Sequence, residues 1–66
     1  MAVGTVKWFN DSKGYGFIAQ EQGRDLLVHH SRIIGAGYRT LHEGDRVEFN
    51  EVQTEKGIEA ADVTRI

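Results

Sequence analysis

From Asp45 to Val52 the chain reads Asp-Arg-Val-Glu-Phe-Asn-Glu-Val, polar against apolar over eight residues. That two-residue period is the mark of a strand with one face buried and one face wet. Other runs carry the same signature in β-branched and aromatic residues. Thr5 to Phe9, Tyr15 to Gln20, Asp25 to His29 and Ile58 to Thr64 each read as a strand. Turn chemistry separates them: Asn10-Asp11-Ser12-Lys13-Gly14, Glu21-Gln22-Gly23 and Thr54-Glu55-Lys56-Gly57. Residues 30–44, with Gly35, Gly37 and Gly44, form a long connection with room for one helical turn at Ser31 to Ile34. No segment has the period of a helix over 11 residues, so the chain is all-β.

A chain of 66 residues makes one domain, residues 1–66, near the lower limit for folding on a single core. Five short strands of that size need a closed sheet to hide their edges. Three strands on short turns, a long connection and a final hairpin predict a five-stranded antiparallel Greek-key β-barrel. Alternation predicts an inward set of Val6, Ile18, Leu26, Val28, Val47, Phe49, Ala61 and Val63, plugged by Ile33.

Cysteine is absent, which excludes a disulfide framework and thiolate metal sites. No apolar run approaches the roughly 20 residues of a membrane span, and Met1-Ala2-Val3-Gly4 lacks a signal-peptide pattern. The expectation is a cytoplasmic chain with no membrane partner. Net charge is −2 and unevenly spread. Residues 1–33 set Lys7, Lys13, Arg24 and Arg32 against three carboxylates, whereas residues 34–66 set four cations against seven. Charge alone does not point to nucleic acid.

The outward-facing residues are more informative. If Ile18 points inward, Tyr15 and Phe17 point out; if Leu26 and Val28 point inward, Leu27 and His29 point out. The second and third strands make a hairpin, so these four share one outer face, with Gly14 and Gly16 expected to leave flat backbone beside the rings. Lys13 stands at the strand entrance and Lys7 on the neighbouring strand. Rings interleaved with lysines suit unstacked bases and phosphates; they also suit an apolar protein interface. Val6 and Trp8 share parity, so Trp8 joins this patch only if a bulge or bend falls near residues 7–8.

Five ordered segments then resemble one family. Gly4-Thr5-Val6-Lys7-Trp8-Phe9-Asn10, Lys13-Gly14-Tyr15-Gly16-Phe17-Ile18, Asp25-Leu26-Leu27-Val28-His29-His30-Ser31, Gly37-Tyr38-Arg39-Thr40-Leu41 with Glu43-Gly44, and Ala60-Ala61-Asp62-Val63 are similar to the bacterial cold-shock proteins. The resemblance implies an oligonucleotide-binding fold. It implies binding of single-stranded RNA or DNA, pyrimidine-rich and of low sequence specificity, and a role as RNA chaperone or cold-shock-type regulator of transcription or translation. By position it implies a surface of Lys7, Trp8, Lys13, Tyr15, Phe17, Asp25, Leu27, His29, His30 and Tyr38. Trp8, Tyr15, Phe17 and Tyr38 would stack on bases, the lysines would meet phosphate, and Asp25 would accept from a base edge or cap its own turn. The chain departs from the family pattern where Leu27 and His30 replace phenylalanines, Gly57-Ile58-Glu59 replaces Gly-Pro-Gln, and Asp62 replaces asparagine. A stacked ring contributes about 1–3 kcal/mol per base, so Leu27 predicts weakened binding.

An enzyme reading would rest on three histidines and ten carboxylates. His29 and His30, as strand neighbours, are expected on opposite faces, and His42 falls in the long connection. No group is placed to orient a catalytic pair, so no catalytic residue, metal site or cofactor is expected. The expected state is a monomer, with a strand-exchanged or edge-paired dimer as the alternative.

Overall fold

The opening β-branched and aromatic run forms β1, Ala2–Asn10, and four further strands follow: β2, Tyr15–Gln20; β3, Leu26–His29; β4, Arg46–Thr54; and β5, Gly57–Arg65. The computed structural model describes residues 1–35 and 40–66; Tyr38 and Arg39 lie outside the described residues. One 3-10 turn, His30–Arg32, follows β3, one residue earlier than the expected helical turn at Ser31 to Ile34. Among the described residues, no helix is long and apolar enough to cross a membrane.

The strands close into a barrel in the order β1-β2-β3-β5-β4, with β4 returning to β1. Four seams are antiparallel. The seam between β3 and β5 runs parallel through Leu27 and Glu59, a departure from the all-antiparallel expectation. A parallel bridge from Ile33 to Val63 and a bond from Ile34 N to Val63 O (2.8 Å) extend that closure into the segment after the 3-10 turn. Parallel pairing follows from the connection: the 3-10 turn and long loop carry the chain across the barrel before β4 and β5 form their hairpin.

Alternation places the core correctly along most of the chain. Val6, Ile18, Leu26, Val28, Ile33, Val47, Phe49 and Val63 are all buried in one cluster, joined by Leu41 and Ala60. Ala61 is buried as well, outside that cluster, and its neighbour Ala60 is buried within it. The phase slips because Asp62 adopts φ 52°, a left-handed conformation that aspartate tolerates better than most residues. Opposite it, the pairing register of β4 shifts between Glu48 and Asn50. The alternation expected over Asp45–Val52 breaks after Phe49 in the sequence itself, where Val52 follows by three residues rather than two; the shift falls beside that break, and Val52 is half-buried beyond it. Asn50 Nδ2 donates to Asp62 Oδ2 (3.1 Å) across the irregular stretch.

At one end a groove of about 440 Å³ lies between the β2–β3 and β4–β5 connections. Leu26 and Ile58 form its apolar wall and Arg24 and Lys56 its cationic rim. Ile58 has core parity with Ala60, yet it is 51% exposed because the barrel ends beneath it.

Candidate nucleic-acid interface

Lys7 is the residue that turns Trp8 outward. Val6 pairs with Ile18 and Trp8 with Phe17, so β1 spends one extra residue between two consecutive partners on β2. This is a β-bulge, and it reverses the parity that would have buried the indole. Val6 stays in the core at 1% exposure, while Trp8 is 39% exposed. The bend expected near residues 7–8 is thus found. Beyond it, Phe9 turns to pack against the core.

With Trp8 outside, three rings form one surface. Its centroid lies 5.3 Å from that of Phe17, tilted by 56°, and 5.7 Å from that of Tyr15, edge-on at 68°. Such tilted and edge-to-face arrangements suit the ring quadrupole and hold each ring in a defined orientation. The β2–β3 register continues the face: Phe17 stands opposite Leu27 and Tyr15 opposite His29. Leu27 is half-buried and faces outward between buried Leu26 and Val28, so it adds apolar area without a π-face.

Gly14 and Gly16 do not leave flat backbone beside the rings, as the sequence suggested. Gly16 is buried, and a side chain there would collide with the backbone of Trp8 and Phe9, its Cβ 2.7 Å from Phe9 Cα. The missing side chain lets β1 pass close to β2 at the bulge. Gly14 has φ 76°, and a Cβ there would lie 2.6 Å from His30 Cδ2. Its carbonyl accepts from His30 N (2.8 Å), so this glycine seats His30. The turn before it is tied by Asn10, whose Oδ1 accepts from Lys13 N (2.9 Å) and whose carbonyl accepts from Gly14 N (2.7 Å). Lys13 projects from this fixed turn into solvent at the entrance to β2.

His29 and His30 are not on opposite faces. The strand ends at His29, the 3-10 turn begins at His30, and the two rings lie 4.3 Å apart at 37°. His29 Nδ1 accepts from Ser31 N (3.2 Å), which places the proton of the neutral ring on Nε2. The second surprise is at Asp25. It neither caps its own turn nor stands free, because its Oδ2 accepts from Lys7 Nζ at 2.9 Å. Both partners are well exposed, so this pair adds at most about 1 kcal/mol and yields readily to a competing phosphate or base.

The structure therefore brings together Lys7, Trp8, Lys13, Tyr15, Phe17, Asp25, Leu27, His29 and His30 around one hairpin face. Tyr38 is outside the described residues. Glu59 is the residue that reading strand by strand leaves unplaced, because only the parallel seam sets it beside Leu27. No group of three histidine, aspartate or glutamate side chains among the described residues is arranged to hold a metal ion.

A closed five-stranded barrel with an aromatic outer hairpin defines the oligonucleotide-binding class of fold. Residues 2–66 match the family described as "'Cold-shock' DNA-binding domain". The chain belongs to that cold-shock domain family. It is 57% identical to the major cold shock protein of Micrococcus luteus, with all of both chains covered. It is 54% identical to the cold shock-like protein CspA of Stigmatella aurantiaca, over 100% of this chain and 98% of the other. It is 52% identical to the cold shock-like protein CspLB of Listeria monocytogenes, again over all of both. Among solved structures, the Drosophila Unr cold-shock segment CSD456 superposes with a TM-score of 0.80 at 23% identity, covering 98% of this chain and 26% of that one. That likeness is one of fold.

Proposed function

We propose that this protein binds single-stranded RNA or DNA across the outer face of the β2–β3 hairpin and acts as an RNA chaperone or cold-shock-type regulator in the cytoplasm. One observation carries the reading: Trp8, Tyr15 and Phe17 form a contiguous ring surface on the outside of the barrel. A bulge that turns a tryptophan away from so small a core costs apolar burial, and stacking on unpaired bases offsets that loss. Lys7, Lys13 and the His29–His30 pair stand around the rings, where phosphates of a strand lying on them would pass. Base–ring stacking tolerates any base, so specificity is low, with pyrimidine-rich strands preferred as in the family. The protein works as a monomer and catalyses no reaction; its effect is to hold strands unpaired.

The test compares a labelled heptamer as a single strand with the same sequence as a duplex. The single strand binds, the duplex does not, and Phe17→Ala weakens single-strand binding by about tenfold. Equal binding of both forms, or none of either, rejects the reading in favour of an apolar protein interface.

A further inference from the structure

Glu59 stands at the end of a row of residues that runs straight across the outer face. Trp8 pairs with Phe17, Phe17 with Leu27, and Leu27 with Glu59, so the row takes one residue from each of four adjacent strands. Successive strands lie about 4.8 Å apart. Glu59 is therefore next to Leu27 and one further strand from the Phe17 ring. Its neighbour Ala60 is fully buried, which turns Glu59 to the outside with Leu27.

The carboxylate is held there. Its Oε2 is 3.1 Å from Thr54 Oγ1, a hydroxyl that accepts from Lys56 N (3.1 Å) and whose single proton is shared between that carboxylate and Gly57 O (2.9 Å). Thr54 engages one oxygen, and a carboxylate has capacity for several further donors. An ionised carboxylate accepts and never donates. Beside a base lying on Phe17 and Leu27, it rewards an exocyclic amino group and penalises a carbonyl. Cytosine presents an N4 amino donor where thymine and uracil present the O4 acceptor.

We propose that Glu59 makes this surface selective, among pyrimidines, for cytosine over thymine or uracil at the base beside Leu27. The proposal rests on the reading that a single strand crosses this face. The carboxylate also repels phosphate, but that repulsion falls equally on every sequence. Selectivity and repulsion are therefore separable by composition.

Trp8 fluorescence is followed while oligodeoxycytidine and oligothymidine heptamers are titrated at pH 8 and constant ionic strength, into the parent protein and into Glu59→Gln. Glutamine keeps the size and adds an amide donor that can meet O4. The ratio of oligodeoxycytidine to oligothymidine affinity falls by about three- to tenfold in Glu59→Gln. Unfolding midpoints of the two proteins check that the barrel is unchanged. Equal tightening for both heptamers, with the ratio constant, assigns Glu59 a purely electrostatic effect and overturns the selectivity. Absence of quenching by either heptamer overturns the nucleic-acid reading itself.

Discussion

Leu27 and His30 are the side chains by which this face differs most from a fully aromatic surface, and each allows a direct test. Leu27→Phe places a ring opposite Phe17 at a half-buried outward position. It should tighten oligothymidine binding by about tenfold while leaving the unfolding midpoint nearly unchanged. Unchanged affinity with markedly altered unfolding would mean that Leu27 belongs to the core. His30 rests against Gly14 and the His29 ring. His30→Phe puts a larger ring at the same place, so it should tighten oligothymidine binding by about three- to tenfold; unchanged affinity would remove His30 from the interface. Gly14→Ala forces a side chain into a left-handed backbone and against His30 Cδ2, so it should cost about 1–2 kcal/mol in urea unfolding and weaken binding as His30 is displaced.

The elements divide into those that local pattern dictates and those that depend on distant pairing. Strands β2 and β3, the bulge before Trp8 and the nine expected core positions were legible because each rests on alternation or on a turn a few residues away. The conflict between Val6 and Trp8, both apolar and of one parity, was itself the signal for the bulge. The burial of Ala60 next to Ala61 was not legible, because nothing in Ala60-Ala61-Asp62-Val63 announces that Asp62 adopts φ 52°. The parallel β3–β5 seam and Glu59 beside Leu27 were hidden for a related reason, since register between strands 32 residues apart is set by closure of the barrel. The contact between His29 and His30 was missed because the helical turn was expected to begin at Ser31, whereas it begins at His30. The seam also has a dynamic consequence. β3 meets β5 through one registered pair, Leu27 with Glu59, whereas β4 and β5 pair along nearly their whole length. Amide protons of β5 that point toward β3 should exchange faster than those pointing toward β4. The opposite order would mean that the parallel seam holds the barrel closed.

At the scale of the molecule, a small core carries both the fold and the stiffness of its outer face. A domain of this length has a stability of about 3–10 kcal/mol at typical values per residue. Among the described residues Phe49 is the largest fully buried side chain, and its truncation to alanine removes about 3–5 kcal/mol. Phe49→Ala should be largely or wholly unfolded by circular dichroism at 25 °C, and a cooperative transition near that of the parent would show that the core has reserves elsewhere. The charge balance of the molecule leaves rings, rather than charge, to supply most of the affinity. Net charge is −2, Lys7 is already paired with Asp25, and only a few cations reach the face. Two to four phosphate contacts, at about −0.7 each for a single strand, give a slope of log K against log salt of about −1.5 to −3. One measurement addresses this balance directly: Trp8 fluorescence during oligothymidine titration across a range of salt concentrations. Stacking on an aromatic face predicts strong quenching, with affinity falling along that shallow slope. Absence of quenching, or a slope steeper than about −5, would contradict it.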